Sequence, residues 1–519
     1  MSRRGSPIPL AAFRHLFASV AEEMGEALRQ SAVSPNVKER RDYSCALLDS
    51  RGRLAAHAAH IPVHLGSAHL TVPAVLKELT IARGDVVVLN DPHRGGTHLN
   101  DVTVVAPLDT GGRRLGYLLN RAHHADVGGA EPGSLAGAKD LYGEGLCLPP
   151  VHLVRSGRRV EEVWRIFAAN TRDAAARRAD LEAQCAALHR GQQRCAELVR
   201  RFGAPALARA MDDLNAHARA QAAALIRRWP DGRAAAEDFL DGPGTPRIAC
   251  AVTKRGRRLK FDFRGSSPQV PGSWNTHRAV TLSAIFYVLQ TLADEDLPES
   301  SGALEAVDLV LPEASVLASE APAGVAAGNT ETSQRIVDVI YRALVGLLGP
   351  AIPAASQGTM NNVCFGGRRA DGSEFVHYET IGGGAGAGPH GPGAGALQVH
   401  MTNTRNTPIE VFEDDVPVRV ARLALRRGSG GRGRHRGGDG LVKEWEFRVP
   451  TRVSLMTTRR FSRPWGAQGG GEGAAGADWL IRGGRRQRIA PGSTFTALPG
   501  DRLRVETPGG GGWGRPPHG

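Results

Sequence analysis

Glycine is the residue this chain most has to accommodate: 65 of its 519 residues are glycine, and the last third gathers them into tracts at 382–395, 428–440, 466–476 and 509–514. Each glycine surrenders more backbone freedom on folding than any other residue and brings no side chain to a core. A chain this rich in glycine implies many turns, close backbone approaches and loop-built sites rather than a helical bundle. The tract Gly383-Gly-Ala-Gly-Ala-Gly-Pro-His390-Gly looks like a phosphate cradle but lacks the Gly-Lys-Ser/Thr ending of a P-loop, and no GxGxxG falls in a clear βαβ unit. It is expected to be a loop that packs closely or receives a phosphorylated substrate, with Gly383, Gly384 and His390 as candidate contacts. The Arg/Gly tract Arg426–Gly440, lying between strand-like runs, reads as a mobile surface loop.

The rest of the composition narrows the class. Apolar residues make up 41%, enough for a large buried core. The formal charge of +13 invites a nucleic-acid reading, but only Lys38, Lys77, Lys139, Lys254, Lys260 and Lys443 are lysines. The remaining basic residues are arginines scattered along the chain without a recognisable nucleic-acid-binding signature, so no nucleic-acid partner is expected. The 6 cysteines include no CxxC pair, which argues against a disulfide framework or a cysteine zinc site. The N-terminus has no uninterrupted apolar stretch and runs into Leu10, Phe13, Phe17, Val20, Met24 and Leu28 at helical spacing. No run approaches the ~18 apolar residues of a membrane span. A cytoplasmic protein with no membrane association is expected.

Periodicity gives an α+β chain, large, mixed and multi-domain. Tyr43–Leu48, Asp85–Leu89 and Leu115–Leu119 read as short buried strands, and the first helix is expected to end near Ser34-Pro35. Apolar spacing turns helical over 173–228; strands return at 248–264, and helices are expected over 279–294 and 332–348. The expected divisions are a strand-rich metal-site region (1–170), a helical region (171–245), a mixed region with substrate or interface loops (246–400) and a strand- and Gly-loop-rich C-terminal region (401–519).

Two polar clusters follow strands. Asn90-Asp-Pro-His-Arg-Gly-Gly-Thr-His98-Leu-Asn-Asp101 comes after the VVVL run, and Arg121-Ala-His123-His124-Ala-Asp126-Val-Gly-Gly129 after the next. Imidazole plus carboxylate is the ligand set of Zn, Mn or Fe. A lone histidine is more often structural than a ligand; two His/Asp clusters at strand ends favour a metal. Asp42 and Glu39 are the nearest candidates for a further carboxylate. Spacing alone does not separate His123 from His124. The surplus histidines (His57, His60, His64, His69, His93 and His124) are supporting partners, substrate contacts or structural residues. Asn329-Thr-Glu-Thr-Ser-Gln334 and Thr359–Asn362 are polar runs that contact substrate or an interface, or cap backbone.

The segments SPNVKERRDYSCALLD, IPVHLGSAHL, GDVVVLNDPHRGGTHLNDVTVVAPL and RAHHADVGGAEPGS resemble the hydantoinase B/oxoprolinase family. So, in order, do GNTETSQRIVDVIYRAL, SQGTMNNVCFGG, HYETIGGGAGAGPHGPG, VHMTNTRNTPIEVFE and TPGGGGWG. The resemblance implies a division of labour. A hydantoinase A-type ATPase subunit, the expected partner, uses ATP to phosphorylate a small cyclic amide, and the chain of this type holds a divalent transition metal and opens the activated ring. Carried over residue by residue, the metal ligands fall on Asp42, His98, Asp101 and His123, with Glu39 the alternative to Asp42. His93 stands where the family pattern has an aromatic, and Asn100 where it has proline. A metal ion makes a hydroxide nucleophile available at neutral pH, and His124, Asp126 or Glu144 is expected to act as general base. The alternatives are an acetone-carboxylase-like metal subunit and a non-catalytic scaffold for the ATPase partner.

Overall fold

The structure is a computed structural model that describes residues 9–58, 61–293 and 297–516. Helix α1 (Leu10–Ser31) buries the apolar stripe Phe13, Phe17, Val20, Met24 and Leu28. It stops three residues before the expected Ser34-Pro35 boundary. Ser34 instead caps a new turn, α2 (Pro35–Lys38), with proline at its first position, where a missing N–H costs nothing.

The first sheet holds seven strands: β1 (Tyr43–Asp49), β2 (Leu54–His57), β3 (Val86–Leu89), β4 (Asp101–Thr110), β5 (Arg113–His123), β6 (Val151–Arg155) and β7 (Arg158–Arg159). They run antiparallel in the order β2-β1-β5-β4-β3-β6-β7. Successive side chains alternate between faces, so each face builds its own core. Val102, Val104, Leu118 and Ala122 pack with α1 and the long helices that follow. Val87, Leu89, Val105, Leu119 and Tyr117 pack with α3 (Ala68–Glu78).

The expected helical stretch is observed. After α4 (Leu141–Glu144) and α5 (Glu161–Ala169) come α6 (Ala174–Phe202) and α7 (Ala204–Arg228), broken at Gly203. Helix α7 joins two cores. Leu207, Met211 and Leu214 belong with the first sheet. Ala218, Leu225 and Ile226 belong with a second sheet of β8 (Gly232–Phe239), β9 (Arg247–Arg255), β10 (Arg258–Asp262) and β11 (Val307–Val310), which also packs on α8 (Arg278–Thr291) and α9 (Ser333–Leu348).

The C-terminal part is a sandwich of two antiparallel sheets. One comprises β12 (Asn362–Arg368), β13 (Glu374–Glu379), β16 (Thr451–Met456) and β19 (Thr494–Ala497). The other comprises β14 (Val418–Arg426), β15 (Gly440–Phe447), β17 (Ala477–Arg482), β18 (Arg485–Ile489) and β20 (Arg502–Glu506), with α10 (Ile409–Asp415) preceding it. Phe365 from the first meets Trp445 and Phe447 from the second edge to face, an arrangement that adds to the area they bury.

The glycine tracts lie against one another. Gly384 donates to Pro508, Gly438 to Ala385, Gly510 to Gly438, Gly431 to Gly510 and Gly512 to Gly471, all at 2.9–3.0 Å. Side chains have no room in this lattice: a Cβ on Gly510 would stand 1.9 Å from the Ala385 carbonyl oxygen, and one on Gly384 2.0 Å from that of Gly438. One expectation is corrected here: Arg426–Gly440 is not a mobile surface loop, because Ser429–Gly431, Gly437 and Gly438 are buried in the lattice. Of the two readings of the Gly383 tract, close packing is observed, with the backbone at Gly383 and Gly384 bonded to Leu397 and Pro508.

Candidate functional site

The strand register answers what spacing left open. Asp101 and His123 are direct cross-strand partners at the mouth of the β4–β5 hairpin. They therefore share one face with Thr103 and Arg121, while His124 points to the other. On the neighbouring strand Ser44 pairs with Arg121, and the His123 amide donates to the Asp42 carbonyl at 3.0 Å, which brings Asp42 to the same end. The loop delivering His98 is fixed from below. The Asn90 amide donates to the Leu99 and Leu146 carbonyls at 2.7 and 2.9 Å, and its oxygen accepts from Leu148 at 2.6 Å. Gly95 makes the turn with φ +98, which a side chain rarely tolerates. Asn100, at the position of the family's proline, donates to the carbonyls of His124 and Gly133 at 3.0 and 3.1 Å and so holds the two clusters together. His93 is exposed on this loop.

Four groups converge on one oxygen, Asp101 Oδ2: Thr97 Oγ1 at 2.6 Å, His98 Nδ1 at 2.8 Å, His64 Nε2 at 3.0 Å and Asn329 Nδ2 at 3.3 Å. Burial opposes the charge on Asp101, but His98 and His64 more than offset it and hold the carboxyl well below the usual range. The His98 and His123 rings lie 5.1 Å apart. His123 stacks on Tyr378 at 4.5 Å, with Asn36 Nδ2 3.1 Å from its Nδ1. The Arg40 guanidinium also lies over the Tyr378 ring, 4.7 Å from its centroid, and stands 3.7 Å from Asp42. Burial pushes Asp42 up to about 6. Glu39 is only half-buried and lies at the end of α2, so Asp42 is the better-placed carboxylate.

The set fits a divalent ion by what it leaves unpaired. His98, Asp101 and His123 are 0%, 1% and 4% exposed, yet His98 Nε2, His123 Nε2 and Asp101 Oδ1 have no hydrogen-bond partner. Buried polar atoms of this kind normally find one. A histidine whose Nδ1 faces a carboxylate while its Nε2 stays free has the arrangement of a metal-ligating imidazole. Among the described residues no three His, Cys, Asp or Glu side chains already stand in a ligand array, so ion binding requires these side chains to turn toward a common point.

Several residues expected at the site stand elsewhere. His124 Nε2 pairs with Gln184 Oε1 at 3.0 Å under α6, and burial lowers its pKa to about 4. Asp126 accepts from Gly128, Gly133 and Arg172, and so braces its own loop. His390 is exposed beside the glycine lattice. Glu144 is different: fully buried, it takes the Ala326 amide on Oε1 at 3.0 Å, leaves Oε2 without an aligned partner, and is raised to about 7 by burial, which the Ala326 amide opposes. His57 pairs with Glu299 at 3.5 Å, His69 is half-buried, and His60 lies outside the described residues.

Four further residues surround the group; sequence reasoning named Asn329 and Glu331 only within a polar run, His64 only among the surplus histidines, and gave Arg121 no role. Asn329 sits on a π-helical turn, Gly328–Thr332, and brings Nδ2 within 3.0 Å of His98 Nδ1. Such turns recur at functional sites. Glu331 on the same turn anchors it by accepting from Met360, Asn362 and Thr458. His64 bridges Ser44 and Asp101. Arg121 is buried and donates to Thr103, Ser67, Thr71 and the Gly95 carbonyl, and burial lowers it to about 10 against the opposing charge of Asp101. The unbroken polar run Asn329–Gln334 was the one visible signal for the turn.

Residues 6–516 match the family model described as Hydantoinase B/oxoprolinase. The chain is 38% identical to an uncharacterised Methanocaldococcus jannaschii protein, over 96% of this chain and 88% of that one. It is 37% identical to 5-oxoprolinase 1 of Arabidopsis thaliana over 98% of its length, but spans only 42% of that relative. Among solved structures, the ATP-dependent caprolactamase of Pseudomonas jessenii superposes with a TM-score of 0.92 at 28% identity, covering 99% of this chain and 93% of that one. The match over nearly every residue, with the strand-end histidines and the glycine tracts inside it, shows that this chain belongs to the hydantoinase B/oxoprolinase family.

Proposed function

We propose that this chain carries the ring-opening step of an ATP-dependent cyclic-amide hydrolase, acting on a substrate activated by phosphorylation in a separate ATPase subunit. The observation that carries the reading is the buried group of unpartnered donor atoms, His98 Nε2, His123 Nε2 and Asp101 Oδ1, beside Asp42. Relatives named as a 5-oxoprolinase and an ATP-dependent caprolactamase support the substrate class. His98, Asp101, His123 and Asp42 would hold a divalent transition metal. When bound, such an ion acts as a Lewis acid and supplies a nucleophile at neutral pH.

The chain's own residues set the conditions for hydrolysis. His64 and Thr97 fix the Asp101 carboxylate, which in turn orients the His98 ring. Tyr378 and Asn36 hold the His123 ring from its face and its edge. Glu144, raised to about 7, carries a proton for part of its population at neutral pH and is suited to hand it to the departing ring nitrogen. Asn329 presents an amide at the same place, able to donate to the oxygen that gains charge. Burial of the whole group keeps bulk solvent from the activated amide, leaving access for the single water that hydrolysis consumes.

Elemental analysis tests this reading. The wild-type chain is expected to hold about one transition-metal ion, and His98→Ala or His123→Ala to lose it while keeping the wild-type circular dichroism. Equal metal content in all three proteins would overturn the site.

A further inference from the structure

Two open concavities lie away from the catalytic face, and their charges are handled differently. The larger, about 1040 Å³, spreads over the uncovered face of the second sheet. Most of its cations are already neutralised: Lys254 by Asp231, Lys260 and Arg264 by Asp262, and Arg258 by Asp308. The other, 630 Å³, is set into the edge of the glycine lattice and is lined by five arginines against two glutamates.

Of those five, Arg426 and Arg460 are committed. Arg426 donates to the carbonyls of Ala475 and Thr507, and Arg460 forks onto the buried carboxylate of Asp478. Glu506 is likewise occupied by Arg504 at 2.8 Å. Arg432 and Arg463 are exposed and have no side-chain partner among the described residues, while Arg488 makes one bond to the Arg460 carbonyl and lies over the Trp479 ring. On the rim the Phe461 ring is 72% exposed. It is not there for want of order: Asp241 accepts from the Phe461 amide at 3.0 Å and from Ser462 Oγ at 2.9 Å, and also binds the Arg460 amide. One carboxylate thus clamps the loop and holds an aromatic ring in solvent beside three unneutralised guanidinium groups. The floor needs its glycines, since a Cβ on Gly476 would come within 2.6 Å of the Arg460 guanidinium.

We propose that this pocket binds a ligand of mononucleotide type, its phosphate held by Arg432, Arg463 and Arg488 and its planar ring stacked on Phe461. Guanidinium forks match phosphate oxygens in pairs, and a concavity of 630 Å³ has the size of a small-ligand site. The pocket has no P-loop, and of its two glutamates Glu506 is held by Arg504 while Glu472 is exposed, so the ligand is proposed to bind without turnover. The inference stands apart from the ring-opening reading.

The test is calorimetric titration of the full-length chain with AMP and, separately, with inorganic phosphate, each against sodium chloride at matched ionic strength. Saturable binding of one AMP per chain is expected, at least tenfold tighter than phosphate. Arg432→Ala combined with Arg463→Ala should weaken AMP tenfold or more without moving the thermal midpoint. Phe461→Ala should weaken AMP while leaving phosphate unchanged. Absence of saturable AMP binding, equal affinity for phosphate and AMP with Phe461→Ala silent, or retention on a polyanion matrix without AMP binding would each overturn the proposal.

Discussion

The hairpin end at Asp101 and His123 and the lattice at Gly384, Gly438 and Gly510 solve opposite problems. In the first, a regular antiparallel register presents side chains, and the backbone only sets their direction. In the second, side chains are absent so that backbones can touch, and the carbonyls and amides themselves do the joining. The contrast teaches where each region tolerates change. On the proposed function, the hairpin end should keep its fold and lose its chemistry when a ring is removed, whereas the lattice should not accept even a methyl group.

The sharpest way to break this comparison is at the lattice. Gly510→Ala places a Cβ 1.9 Å from a backbone oxygen that cannot move alone. The cost should exceed the ~3 kcal/mol of ordinary overpacking, and little folded protein should be recovered. Gly111→Ala, in a hairpin turn with φ +54 and open space around it, serves as the control and should cost about 1 kcal/mol. Equal recovery of the two variants, measured by urea unfolding, would remove the distinction.

A smaller effect sharpens the role of Glu144. Its folded pKa of about 7 lies above its usual 4.5. The native state therefore binds the extra proton, and stability contributed at low pH is lost as pH rises from 4.5 through about 7. The full loss is on the order of 3 kcal/mol. Glu144→Gln should flatten that part of the profile in thermal scans across this pH range. A variant with the wild-type slope would contradict a buried, proton-holding Glu144.

The smallest effect is expected at His124. It lies next to His123 in sequence but on the opposite face, bonded to Gln184. His124→Gln should cost about 1 kcal/mol, one buried hydrogen bond, and leave ring opening near wild type. A large loss of turnover with intact stability would return His124 to the catalytic group.

Much of this architecture is legible in local pattern. The strands near 43–49, 86–89 and 113–123, the helical pair over 174–228 and the helices at 278–291 and 333–348 all follow from apolar period. His98, Asp101 and the adjacent pair His123 and His124 stand out because polar clusters directly follow apolar strands, and the family resemblance then points to His123. What local pattern does not carry is pairing across distance. Asn329 meets His98 from 231 residues away, and His64 reaches Asp101 across 37. The choice between His123 and His124 needed the register of two strands, since one step along a strand changes the face. The glycine tracts read as loops because a single tract has no visible partner, and only their assembly shows that each one's missing side chains make room for the others.

The central claim, ring opening by the buried His98–His123 group on a substrate activated elsewhere, is tested most directly by measuring two products at once. The chain is assembled with the proposed ATPase subunit, and ATP hydrolysis and ring-opened product are followed together on hydantoin, 5-oxoproline and a lactam, for wild type, His98→Ala and His123→Ala. The account predicts that both variants lose ring opening by roughly a hundredfold or more while substrate-stimulated ATP hydrolysis persists. Ring opening at the wild-type rate in either variant, or by the wild-type chain alone without ATP, would contradict it.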